Sequence, residues 1–192
     1  MSVDAKRYLE DWEKHPMRKP RIEKVVVDIC TGKSGEPLVK ASQLLESLTG
    51  QKPVESRAKQ TIREFGIRKR EPIAVRVTLR RQAAIDFLKR VLQVKNNTLL
   101  KKQFDREGNV AFGIKEHIDI PGVKYDPNIG IFGMNITVNI IRPGFRIKRR
   151  HIARRRIPKR HRLTPEESMA FLQEEFGIKI AEKEEEYQYG YY

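Results

Sequence analysis

Three stretches of this chain alternate with a period of two, and each alternation separates apolar from polar residues. Ile73, Val75, Val77 and Leu79 interleave with Ala74, Arg76, Thr78 and Arg80. Val110, Phe112 and Ile114 interleave with Ala111, Gly113 and Lys115. Met134, Ile136, Val138 and Ile140 interleave with Asn135, Thr137 and Asn139. Successive side chains of a strand point to opposite faces, so all three segments predict strands with one dry and one wet face. Ile22 to Ile29, rich in β-branched residues, predicts another strand, and Val54 to Arg57 a short one. Helical spacing intervenes twice. Leu38, Ala41, Leu45 and Leu48 follow Pro37 and end at Gly50, and Ile85, Leu88, Val91 and Leu92 share one side of Gln82–Val94. The expected fold is α+β: one antiparallel sheet with helices packed on one face. Its open face would show Arg76, Thr78, Lys115, Asn135, Thr137 and Asn139, a polar set short of acids.

The flanks differ in character. Residues 4–14 predict a short helix capped by Asp4, with Tyr8, Leu9 and Trp12 on one side, an appendage that docks on something. Thr164, Pro165 and Glu167 form a capping-box start for a helix striped by Met169, Leu172 and Phe176 and stopped by Gly177. The expected organisation is an N-terminal extension over 1–16, one domain over 17–180, and an acidic, tyrosine-rich tail over 181–192 that is expected to be disordered.

Charge narrows the function. The formal net charge is +15, and between Asp126 and Glu166 there is no acidic residue. Eleven Lys and Arg fall within Arg142–Leu163: Arg142, Arg146, Lys148, Arg149, Arg150, Arg154, Arg155, Arg156, Lys159, Arg160 and Arg162. Solvated charged faces alternate in sign, and this run does not, so it calls for an anionic partner. Phosphate backbone, anionic membrane and acidic protein are the classes to separate. The interleaved Phe145, Ile147, Ile152, Ile157 and Pro158 suit a segment threaded against a surface. A nucleic-acid arm that orders on binding RNA is the expectation, with His151 and His161 adding phosphate contacts.

Other chemistries find little support. A single cysteine, Cys30, excludes an intramolecular disulfide and fits a reducing compartment; it is expected to be a small buried residue. The N-terminus carries no secretory pattern, and no apolar run approaches the roughly 20 residues that cross a bilayer. No membrane partner is expected, and the location expected is cytoplasmic. His15, His117, His151 and His161 show no metal-ligand spacing, so neither metal nor cofactor is expected. Gly32-Lys33-Ser34 sits between a strand and a helix, as a phosphate loop would, but Val27 occupies the place of its first glycine.

The order and spacing of several motifs resemble large-subunit ribosomal protein five, the universal family that binds 5S rRNA, in its archaeal and eukaryotic branch. They are Pro16-Met17-Arg18, the Lys24–Cys30 strand, Thr49–Pro53, Arg57–Lys59, Ile73–Arg80, Gly113–His117, Tyr125–Pro127, Gly130–Met134 and Arg142–Arg146. The resemblance spans about residues 16–180. It implies a non-enzymatic constituent of the large ribosomal subunit, in the central protuberance. It also implies that the open face and adjoining loops grip 5S rRNA. Gln51 and Thr78 match family contact positions, and so does Asp28, where the family usually has Asn; a carboxylate only accepts and repels phosphate. The set expected to bind 5S rRNA is Asp28, Gln51, Lys52, Arg76, Thr78, Arg80, Asn135 and Thr137. The loop Ile62–Pro72, with Arg63, Arg68, Lys69 and Arg70, matches the part of the family that reaches peptidyl-site tRNA. Asp119–Gly133 matches the part that meets a small-subunit protein across an intersubunit bridge. The basic run would hold large-subunit rRNA beside neighbouring ribosomal proteins. Two rival readings are a general, chromatin-like nucleic-acid binder and a small nucleotidase built on Gly32-Lys33-Ser34.

Overall fold

The structure, a computed structural model, describes residues 5–182, with the side chains of residues 5 and 6 left out. The capping role expected of Asp4, and the tail beyond residue 182, lie outside the described residues.

The alternating segments become strands of one sheet. β1 (Arg21–Cys30), β2 (Val54–Arg57), β3 (Pro72–Leu79), β5 (Val110–Ile114) and β6 (Met134–Ile141) assemble in the order β2-β3-β1-β6-β5. Every neighbouring pair is antiparallel. β1 is the centre, with Val25, Val27 and Ile29 at most 1% exposed. Two helices, α2 (Glu36–Thr49) and α3 (Arg81–Val94), pack on the face these residues share, burying Leu38, Leu45, Phe87, Leu88 and Val91. At the ends of α2 the expected punctuation holds: Pro37 stands in the first turn, and Gly50 takes the left-handed conformation (φ +66°) that closes the helix.

The remaining elements knit the flanks to this core. α1 (Ala5–Lys14) lies on α5 (Pro165–Phe176), so the partner for the N-terminal helix is the chain itself. Trp12 is 5% exposed, stacks on Tyr8 and meets Phe171 edge-on. A short parallel ribbon joins β4 (Thr98–Leu100) to β7 (Lys179–Ala181). Neither strand was expected, because three residues carry no readable alternation. A four-residue helix, α4 (Arg146–Arg149), opens the basic segment. Gly108 turns the chain into β5 at φ +76°, and a Cβ there would meet the Ser168 hydroxyl at 2.0 Å. Only glycine permits that approach of turn and α5. Cys30, expected to be buried, is exposed: it ends β1 on the side away from the helices.

Candidate nucleic-acid interface

The face of the sheet away from α2 and α3 is open, and register orders its side chains in rows. Arg76, Asp28 and Asn135 stand side by side across β3, β1 and β6, with Val54 and Gly113 at the ends of the row. Thr78, Val26, Thr137 and Ala111 form the next row. Arg76, Thr78 and Asn135 are exposed and Thr137 half-buried. Asp28 accepts a hydrogen bond from Nε of Arg76. That bond, and then the carboxylate's charge, raise the Arg76 pKa. The two charges cancel in the middle of the face. What remains there is a near-neutral field of hydroxyl and amide groups, able both to donate and to accept. Gln51 and Lys52 are exposed in the turn between α2 and β2, beside this sheet edge.

One row further along, β1 bulges. Ile22 pairs with Ile140 and Lys24 with Asn139, leaving Glu23 as the extra residue. Such a bulge re-aims a side chain. Glu23 forms ion pairs with Arg149 and, at 3.5 Å, with Arg80. Arg80 is thereby a rim residue tied to the fold.

The basic run is an ordered part of the domain. Arg142, expected among the phosphate contacts, is 4% exposed and donates to both carboxylate oxygens of Glu167 at 2.5 and 2.6 Å. The indole of Trp12 donates to the same Glu167 at 3.1 Å. Arg142 is therefore an internal anchor, unavailable to a partner. Thr164 does cap α5 by accepting from the Glu167 backbone N–H, but the Glu167 side chain turns inward to Arg142 and Trp12 instead of back to the cap. Arg149 is held by Glu23, and Arg162 by Glu107 at 3.2 Å. Ile157 and Leu163 are buried beneath the segment. Arg146, Lys148, Arg150, Arg154, Arg155, Arg156, Lys159 and Arg160 are exposed and form no ion pair among the described residues. Carboxylates outside the segment, Glu167, Glu23 and Glu107, supply part of its counter-charge.

Between β2 and β3 the chain forms a small hairpin, with Ile62 and Ile67 bonded to each other through their backbones. Arg63, Arg68, Lys69 and Arg70 are all exposed on it. So is Phe65, 69% exposed at the tip beside Gly66, a residue the charge pattern had hidden. Its base is closed by backbone bonds of Ala58 to Arg70 and Glu71, and Lys69 N–H donates to the Thr61 hydroxyl at 3.0 Å. Glu71 accepts from the Ser34 hydroxyl at 2.5 Å and from the Arg68 backbone N–H at 2.8 Å. Those bonds, in that order, hold its carboxyl below the usual range.

Two further segments are settled by hydrogen bonding. In the Gly32 turn, the N–H groups of Thr31 and Gly32 both donate to the Ile73 carbonyl and Ser34 is held by Glu71. These backbone donors do not converge on a phosphate. The 117–133 loop is pinned by His117, 1% exposed, whose Nδ1 accepts from the Phe132 N–H at 3.3 Å. Burial pushes the His117 pKa down. Tyr125 and Ile131 remain exposed on that loop.

Known proteins match this chain along most of its length. Residues 15–68 match the family described as Ribosomal protein L5, and residues 72–171 match the C-terminal part of the same ribosomal family. The chain belongs to the ribosomal protein L5 family. Among its relatives are the proteins named large ribosomal subunit protein uL5 from Aeropyrum pernix (54% identical, over 88% of this chain and 89% of the relative) and from Sulfurisphaera tokodaii (53%, over 88% and 96%). That of Pyrobaculum aerophilum is 52% identical over 86% of this chain and 93% of the relative. The two L5 matches interlock in space. β1 and β2 come from the first and β3, β5 and β6 from the second, yet β1 lies between β3 and β6. The open face is thus a joint product of both parts, whereas α1 lies ahead of either.

Proposed function

We propose that this chain is a non-catalytic structural constituent of the large ribosomal subunit, in the cytoplasm, that binds 5S rRNA through its open sheet face. The names carried by its relatives support the subunit assignment. One observation carries the RNA reading: a polar, charge-cancelled face flanked by an ordered cationic arm. A face of hydroxyls and amides suits the 2′-hydroxyls and base edges of folded RNA, while the rim supplies charge for phosphates. On this reading Gln51, Lys52, Thr78, Asn135 and Thr137 contact 5S rRNA directly. Asp28 serves by holding Arg76 in place. The arm residues from Arg146 to Arg160 take phosphates of large-subunit rRNA.

The hairpin suits peptidyl-site tRNA. It is exposed along its length, carries four cations, and presents Phe65 for stacking on an unpaired base. The loop at 119–133 suits a small-subunit protein across a bridge, because Tyr125 and Ile131 offer apolar contact on a segment His117 holds still. A nucleotidase is disfavoured by the committed N–H groups of the Gly32 turn. Competition decides between RNA and DNA. At about 150 mM salt, unlabelled 5S rRNA should displace a labelled 5S rRNA complex at concentrations at least a hundredfold below those of duplex DNA. Equal competition would favour the chromatin-like reading.

A further inference from the structure

Beneath the arm lies a cleft that the assignments above leave unused. Its volume is about 600 Å³, and its lining includes Asn109, Asn139, Phe145, Arg149, Arg154 and Arg156. That volume falls within the range of roughly 300–1,000 Å³ typical of sites for small molecules, far too small for a helix of paired bases. Three chemistries meet in it.

The first is a fixed pair of amides in the wall. Asp105 can only accept, and its Oδ2 takes a hydrogen bond from Nδ2 of Asn109 at 2.7 Å. Asn109 must then present its Oδ1 to Asn139, and it accepts from Nδ2 of Asn139 at 2.6 Å. The relay fixes both amides and leaves Oδ1 of Asn139 with no partner. That oxygen has essentially no accessible surface, so the amide pair stiffens the wall of the cleft and is not itself open to a ligand. The second chemistry is the half-buried ring of Phe145, set 6.3 Å from His161, which offers a π surface for a base. The third is the cationic wall, where Arg154 and Arg156 meet no carboxylate among the described residues and are free to take the phosphate.

We infer that the cleft receives one unpaired nucleotide extruded from rRNA, its base against the ring of Phe145 and its phosphate on the arm. The inference rests on the rRNA-binding reading and gives that binding a preference for a structural irregularity. Unpaired bases are the ones that can be splayed out for recognition.

Two RNA hairpins, identical but for one bulged adenosine, test it by fluorescence anisotropy at about 150 mM salt, with a third whose bulge is abasic. The wild-type chain should bind the bulged hairpin about ten-fold more tightly than the paired one, and the abasic hairpin no better than the paired one. Phe145→Leu keeps apolar volume at the site; it should erase most of that preference while leaving paired-hairpin affinity and thermal stability unchanged. Equal wild-type affinity for bulged and paired hairpins overturns the inference and spares the broader reading. So does an undiminished preference in Phe145→Leu. Failure to bind any of the three, or 5S rRNA, would remove both.

Discussion

The arm at 142–163 and the hairpin between β2 and β3 are both strongly cationic, but they are held in opposite ways. The arm is fixed at three points by carboxylates outside it, Glu167 just beyond its end and Glu23 and Glu107 from far back in the sequence, and floored by Ile157 and Leu163. The hairpin has one carboxylate latch, Glu71, at its base, and beyond it nearly everything is exposed. A few well-placed acids at the roots of a basic segment suffice to set its path, while its outward cations stay available. A preset path loses less entropy on binding, which suits a fixed rRNA surface. A lightly tethered tip suits a ligand that moves.

The sharpest way to break this contrast is to remove the deepest anchor. Glu167→Gln leaves Arg142 charged, buried and short of its partner. Breaking one side of such a pair costs about 3–5 kcal/mol, and chemical denaturation should show a loss of that size. A loss under about 1 kcal/mol would mean that the pair does not hold the arm. The pair replaced together by apolar residues of similar size should recover much of the stability, since its desolvation is then removed as well.

Next in size is an effect on binding alone. Neutralising Arg154, Arg155 and Arg156 together should leave stability within about 0.5 kcal/mol of wild type, because none is an anchor. The plot of log affinity against log salt for rRNA should flatten by roughly 2–3, at about 0.7–0.9 for each phosphate no longer neutralised. An unchanged slope would show that the arm's outward cations do not face phosphate.

The smallest effect belongs to the hairpin latch. The Glu71 pKa is lowered in the folded chain, chiefly by the Ser34 hydroxyl and then by the Arg68 N–H. The folded state therefore favours the charged form. The latch is fully present above the ordinary glutamate value of 4.5 and is lost as pH falls through the lowered value. Limited proteolysis should show cleavage within 63–70 rising on acidification through that window, and Ser34→Ala should bring the same rise at neutral pH. Cleavage in the hairpin that ignores both changes would show that its base is held by something else.

The sheet was legible because its information is local. Alternation in β3, β5 and β6 assigned each side chain to a face, and the open-face residues stand where the period put them. The arm's path was not legible, because its determinants are not local. Nothing around Arg142 marks it as buried, and its partner Glu167 sits three residues after Thr164, where a helix cap already accounts for it. Glu23 reads as an ordinary position in a β-branched run, and only the bulge against β6 turns it toward Arg149. The Asp28–Arg76 pair needed register, which single strands do not disclose. Phe65 had a signal, an aromatic beside glycine in a basic loop, but the surrounding charge outweighed it.

The central place of β1 bears on how this chain comes to be made. β1 is synthesised early, yet its two neighbours, β3 and β6, emerge later, β6 from the far part of the chain. Until β6 leaves the exit tunnel, one full edge of an apolar strand has no mate. Pairings so distant in sequence form slowly and leave sticky edges uncovered meanwhile. A protein built this way has its most vulnerable moment during its own translation, before any RNA has been met.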